Sequence, residues 1–264
     1  MKDYYEIDAL SASLLKTVIK QSPAHAEHRM KNFEATANMK LGTAFHAAIL
    51  ENDDYEDLIA ISPKVDRRTK SGKEEHAKFI EGVGNRTVIT YDQSLLVDAM
   101  QKNCLNHPEV RSLLDKCYAY EFQTEFEFDG VSCKAMIDAC DDMGTIVDLK
   151  TTQDASPDAF MKSSANFLYH MQMAWYANAL GVHWSDANAY IIAVENTQPH
   201  GVAVYKMTTD SLRVGWELCC QAVKEYKHYK VQCALDEELF LPYGSNVKNL
   251  DLPVWAKNGV EEYV

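Results

Sequence analysis

Asp138, Asp148 and Lys150 are the residues whose types and spacing most readily do chemistry in this sequence. They fall within Gly130 to Thr152, where Val131 to Ala139 and Thr145 to Lys150 read as strands. Between them, Asp142-Met143-Gly144 can form a hairpin loop whose glycine accepts a left-handed conformation. In that register Asp138 stands opposite Asp148. Directly opposed residues lie about 5 Å apart at Cβ, and alternation puts Asp148 and Lys150 on one face with Leu149 on the other. Two carboxylates that close repel. A hard divalent cation between them removes the penalty, which is the pattern of a metal-dependent phosphodiesterase.

The elements that must hold this hairpin begin with a helical N-terminal region. Ser11 or Ser13 can cap a first helix through Gln21, Ser22-Pro23 opens a second toward Phe33, and a third covers Met39 to Glu51. Ser71 opens a helix to Glu81, Thr87 to Thr90 is a short strand, and Asp92 to Leu105 is helical. Tyr120 to Phe128 then alternates, with Glu121, Gln123, Glu125 and Glu127 on one side and Phe122, Phe126 and Phe128 on the other. Asp129-Gly130 turns this strand into the aspartate hairpin. Helices over Pro157 to Ser163 and Phe167 to Leu180, strands over Ala187 to Glu195 and Gly201 to Met207, and a long helix from Thr209 to Val231 complete the reading. The order implies an α/β (α+β) fold: a mixed sheet of about five strands flanked by helices. One domain over 1–264 is expected, with a mainly helical region over 1–118, a core over 119–232 and an irregular tail over 233–264.

With 264 residues, 47% of them hydrophobic, the chain can bury a sizeable core. The beginning, MKDYYEIDAL, lacks the basic-then-apolar layout of a signal peptide, and no apolar run is long enough to span a membrane, so a cytoplasmic location is expected. Seven cysteines, without a CxxC pair, read as reduced and structural. The net charge of −13 argues against a protein that coats nucleic acid over its whole surface. It leaves room for a local basic patch, and Lys64 to Lys73 carries Lys64, Arg67, Arg68, Lys70 and Lys73 against Asp66 alone.

Two further features converge on the hairpin. His46 lies on an apolar helix one turn after Gly42, whose missing side chain would let another backbone approach, and an imidazole there can reach a metal. Tyr169, Gln172 and Tyr176 share one helical stripe beside the apolar stripe of Leu168, Met171, Trp175 and Ala179, as a cleft wall would.

The array Gly42-x-x-x-His46, Asp138, Asp148-Leu149-Lys150 and Gln172-x-x-x-Tyr176 resembles the PD-(D/E)XK nuclease superfamily in its RecB-like branch. The ordered segments LGTAFHAAILE, DRRTKSGKEEHAKF, GVSCKAMIDA, VDLKTTQDAS and YHMQMAWY, with a terminal LPVWA, are similar to the RecE-type exonucleases of phages and prophages, the exodeoxyribonuclease VIII family. This resemblance implies a restriction-endonuclease-like core. It implies that His46, Asp138, Asp148 and the main-chain carbonyl of Leu149 bind divalent metal, Mg²⁺ or alternatively Mn²⁺, as a pair of ions. Lys150 would orient the attacking water or help deprotonate it, and Gln172 and Tyr176 would steady the scissile strand with help from Tyr169. Arg67, Arg68 and Lys73 are the candidates for DNA phosphate contacts.

The implied activity is 5′-to-3′ digestion of double-stranded DNA ends that leaves 3′ overhangs for recombination. A ring-shaped homo-oligomer and a RecT-like single-strand annealing partner come with the resemblance. The alternatives are a related nuclease of other polarity, an endonuclease, or a non-catalytic DNA-end-binding module. Some relatives hold an iron-sulfur cluster through a cysteine before the histidine; here the first cysteine is Cys104, so no cluster is expected. Other relatives add an acidic residue from the first core strand, a place Glu121 or Glu125 could fill.

Overall fold

In the computed structural model, which describes residues 4–235, 242–243 and 246–252, three helices come first: α1 (Ala12–Lys20), α2 (Pro23–Lys31) and α3 (Ala37–Leu50). A small lobe follows with α4 (Tyr55–Leu58), β1 (Ile59–Ser62), α5 (Lys70–Glu81), β2 (Thr87–Thr90), α6 (Tyr91–Asn106) and α7 (Pro108–Leu114). The main sheet is built from β3 (Ala119–Phe128), β4 (Val131–Cys140) and β5 (Thr145–Thr152), then, after α8 (Pro157–Asn166) and α9 (Tyr169–Ala179), from β6 (Asn188–Glu195) and β7 (Val202–Lys206). Helix α10 (Thr209–Leu235) follows. Leu241, Pro253 and Trp255 of the expected tail, and the terminal motif from Pro253 onward, lie outside the described residues.

The strands stand in the order β3-β4-β5-β6-β7, antiparallel except for the parallel β5–β6 pair, which the α8–α9 crossover connects. A parallel pair needs such a crossover because a tight turn cannot reverse the chain twice. β1 and β2 form a separate parallel pair. The sequence pattern shows β2 but not its partner β1.

Apolar side chains of β6 separate cleanly by parity. Ala189, Ile191 and Ala193 pack with α1, α9 and α10 through residues such as Leu15, Met171, Trp175 and Cys219. Ile192 and Val194 pack on the other face with Phe45 of α3, Met100 of α6 and Leu113 of α7. A strand buried on both faces is what a continuous apolar run encodes. Trp175 is fully buried, meets the Phe126 ring at 5.0 Å and donates its indole N–H to the Lys134 carbonyl at 3.2 Å, which fixes α9 on the sheet. Removing such a side chain costs about 3–5 kcal/mol. Helix α10 can lie close behind α9 because Gly215 has no Cβ, which would overlap the His170 carbonyl.

Candidate active site

The hairpin forms in the expected register and then opens. Asp141 N–H bonds to Thr145 O at 3.1 Å, leaving Asp142, Met143 and Gly144 in the loop with Gly144 at φ +84°. Ladder pairing between β4 and β5 covers only Ala139↔Val147 and Cys140↔Ile146. One step further, where Asp138 would face Asp148, the Asp138 Oδ2 accepts the Leu149 N–H at 2.6 Å. Further out still, the freed edge of β4 is filled by the N-terminal segment: Leu10 N–H donates to Ser132 O at 2.9 Å and Lys134 N–H to Leu10 O at 2.8 Å. That bridge sets α1 beside the opening.

The alternation of β4 changes phase at the same place. Ile137 and Ala139 should share a face, yet Ile137 packs with the α9 side and Ala139 with the α3 side. Opposite them, β3 pairs through Tyr120↔Ala139 and Phe122↔Ile137, while Glu121 between has φ +43° and no ladder partner. A non-glycine residue in that region is uncommon and tends to mark a functional constraint. The result is a correction to strict alternation. Glu121 turns inward, Glu125 and Glu127 face solvent, and Phe122 is exposed instead of joining Phe126 and Phe128 in the core.

Glu121, Asp138 and His46 meet at this break. His46 Nδ1 stands 3.5 Å from Asp138 Oδ2 and 3.7 Å from Glu121 Oε1, and its Nε2–H donates to the Leu149 carbonyl at 3.0 Å. One ligand atom from each of the three side chains can be chosen with all three within 4.8 Å of one another. Burial alone would lower the His46 pKa, but the Asp138 and Glu121 carboxylates outweigh it and raise it to about 9. Asp138 is pushed up, first by burial and then by Asp148, against the pull of His46.

On the other side of the opening Asp148, 1% exposed, is held from two directions. Lys150 Nζ lies 2.5 Å from its Oδ2 and Gln172 Nε2 donates to its Oδ1 at 2.8 Å. Gln172 also reaches Tyr176 Oη at 2.7 Å and accepts from Lys16 Nζ at 2.5 Å. Burial would lower the Lys150 pKa, yet Asp148 and Asp138 raise it, so Lys150 stays an ammonium. Of its two expected roles, orienting a water or phosphate by charge fits this protonated state. Burial raises Tyr169 and Tyr176 as well, leaving both phenols neutral.

The donor set suits a hard divalent cation. Two carboxylates and one imidazole can each bring a ligand atom within 4.8 Å of the others, the Leu149 carbonyl adjoins the imidazole, and the buried Asp148 Oδ2 has its ion pair but no hydrogen bond. Clustered buried carboxylates are costly unless a cation compensates them, and oxygen-rich ligand sets with few side chains suit Mg²⁺ and Mn²⁺.

Most of the expected residues line one cleft of about 1380 Å³: His46, Asp138, Leu149, Lys150, Tyr169, Gln172 and Tyr176. Asp148 lies beneath it. Arg67, Arg68 and Lys73 are not among the lining residues; they occupy the loop before α5 and its first turn, exposed, with Arg68 paired to Asp66 at 3.1 Å. Gly42 lines the cleft, but a Cβ there would meet nothing within 4 Å, so it leaves open space and admits no backbone. Two participants escaped the sequence reading in different ways. Glu121 was one of two candidates, and Glu125 is exposed and outside the cleft. Lys16 carried no signal, being a lysine on a helix whose immediate neighbours Leu14, Leu15, Thr17 and Val18 are buried.

A family model described as a PDDEXK-like domain of unknown function (DUF3799) matches residues 11–234. Among solved structures the chain is similar to a candidate exonuclease from Eubacterium rectale, at 11% identity over 95% of this chain and 92% of that one, with a TM-score of 0.59. It is also similar to a phage-related exonuclease from Haemophilus somnus 129PT, at 13% identity over 87% and 99%, with a TM-score of 0.38. No curated protein matches in sequence. At 11% identity the likeness to the Eubacterium rectale structure is one of fold.

Proposed function

The chain belongs to the family of PDDEXK-like domains, and on that premise we propose that it is a divalent-cation-dependent nuclease that digests double-stranded DNA from an end. The observation that supports this most is the broken ladder between β4 and β5, which gathers Asp138, Asp148, Lys150, His46 and Glu121 around one opening. When bound there, a cation, with Mg²⁺ the expected ion, supplies positive charge against a phosphate and makes water a better nucleophile. The chain's own part is positional. Asp138, Asp148, His46 and the Leu149 carbonyl, joined by Glu121, would hold the ion, Lys150 keeps an ammonium beside Asp148 for the attacking water, and Gln172, which bonds both Asp148 and Tyr176, would with Tyr176 steady the scissile strand.

The finer reading is 5′-to-3′ digestion that leaves 3′ overhangs for recombination, by a ring-shaped homo-oligomer working with a single-strand annealing protein in the cytoplasm. It is supported by the ordered motifs shared with RecE-type exonucleases. The description of the Eubacterium rectale fold-mate points the same way for exonuclease action. All seven cysteines are free thiols, which fits a reducing compartment.

The test is digestion of a linear duplex labelled at its 5′ or 3′ end, beside a covalently closed circle, with Mg²⁺ or EDTA. Mg²⁺-dependent loss of the 5′-labelled strand with the circle intact is the expected result. Cutting of the circle would make the protein an endonuclease, and loss from the 3′ end would reverse the polarity.

A further inference from the structure

At the mouth of the cleft, beyond Tyr169, stands Phe167, 56% exposed. A single exposed aromatic ring is ordinary on a protein surface and carries no meaning by itself. Here the backbone is bent to expose it. Leu168, the next residue, adopts φ 53° and ψ 47°, a left-handed conformation that glycine would take without strain. Its side chain packs on the core while the corner between α8 and α9 turns Phe167 outward. The ring also ends a row of aromatics. Tyr205 stacks on Phe160 at 5.0 Å, Phe160 meets Tyr169 at 6.0 Å, and Tyr169 stacks on Phe167 at 5.8 Å with planes 21° apart. Lysine amino groups flank the exposed end: Lys20 Nζ is 5.5 Å from the Phe167 ring, and Lys16 and Lys150 are each 5.3 Å from the Tyr169 ring.

We propose that Phe167 is a stacking platform for an unpaired nucleobase of the strand entering the site, so that the strand is separated from its complement before its phosphate reaches Lys150. This rests on the nuclease reading above and adds to it the form of the substrate at the point of cutting. The chemistry is that of single-strand binding surfaces: an aromatic face accepts any base, and adjacent cations take the phosphates. Phe167 touches neither the cation ligands nor the reacting atoms, so it acts on substrate position alone. An exposed ring at a corner can be replaced without emptying the core.

The test uses an oligonucleotide with 2-aminopurine at its 5′ terminus, Ca²⁺ in place of Mg²⁺, and the wild-type, Phe167→Ala and Phe167→Trp proteins. Binding by the wild type and Phe167→Trp should quench the fluorescence, while Phe167→Ala should lose the quench and bind roughly tenfold more weakly. With Mg²⁺, Phe167→Ala should cut a duplex with an already frayed end closer to the wild-type rate than it cuts a blunt one. Equal quenching and equal rates for wild type and Phe167→Ala would overturn the inference. A wild-type protein that quenches but cuts no DNA would sink the nuclease reading and leave the stacking standing, whereas one that neither quenches nor cuts would overturn both.

Discussion

The Asp138 carboxylate accepts the backbone N–H of Leu149 at 2.6 Å, one step past the last ladder pair of their two strands. A side chain thus stands where a backbone carbonyl would, and the sheet opens without leaving that amide unpaired. The same carboxylate lies 3.5 Å from His46, so strand geometry and site geometry are tied through one group.

Asp138→Ala should therefore lose both roles and Asp138→Asn only one. The asparagine carbonyl can still accept from Leu149, but it brings no charge to a cation. Urea unfolding should show Asp138→Ala destabilised by about 1–3 kcal/mol, with Asp138→Asn closer to the wild type. Neither variant should digest DNA.

Glu121→Gln should weaken divalent-cation binding and slow cleavage, while Glu125→Gln should leave both unchanged, because only Glu121 stands within the His46 and Asp138 cluster. Calorimetric titration with Mn²⁺ separates the two, with an expected loss on the order of tenfold or more for Glu121→Gln.

Cation binding should strengthen as pH rises. A ligating imidazole must be neutral, and the His46 pKa is raised to about 9, so at pH 7 its proton has to leave when the ion enters. Asp138, also raised, acts in the same direction at lower pH. Mn²⁺ affinity measured at pH 6.5, 7.5 and 8.5 should increase at each step, with proton release visible in buffers of different ionisation enthalpy. A flat profile would remove His46 from the ligand set.

Lys16 should trade stability for activity. Burial, then the nearby Lys150 ammonium, lowers its pKa from 10.5 to about 7, with Asp148 pulling the other way. Below pH 7 both folded and unfolded chains carry the charge, and the folded one bears the full cost of burying it. Between about 7 and 10.5 the unfolded chain holds more protons, so stability rises with pH across that window. Lys16→Met should melt higher than the wild type at pH 6.5, by about 2–4 °C for each kcal/mol gained, and the gain should shrink toward pH 10. Losing the contact with Gln172 should slow cleavage by roughly tenfold or more.

The sequence carries the sheet well because its strands obey simple periods. β6 reads as a doubly buried run, β4 and β5 as a hairpin closed by a left-handed glycine, and α9 as a polar stripe beside a core stripe. His46, Asp148, Lys150, Gln172 and Tyr176 are placed where the sequence grouped them, each on an element whose face is set by its neighbours, whereas Asp138 sits where the alternation of β4 changes phase. What was not legible is where periodicity fails. Glu121 and Glu125 are equivalent under strict alternation, and the left-handed backbone at Glu121 that separates them is a product of the assembled site. Lys16 meets Gln172, 156 positions later in sequence, through the tertiary placement of α1, which the Leu10 bridge to β4 and the packing of Leu15 and Val18 with α9 and α10 share. The expected helix from Phe167 begins at Tyr169, since nothing local announces a left-handed leucine. Long-range placement of this kind has no local signature.

The central claim is that the open β4–β5 hairpin is a cation-dependent hydrolytic site. Its most direct test is the rate of nucleotide release from a linear duplex as Mg²⁺ or Mn²⁺ is titrated, for the wild type and for Asp148→Asn, with circular dichroism to show that both are folded. The account predicts release that saturates with the cation, vanishes in EDTA and is lost in Asp148→Asn. Release that persists in EDTA, or that Asp148→Asn retains in full, would contradict it.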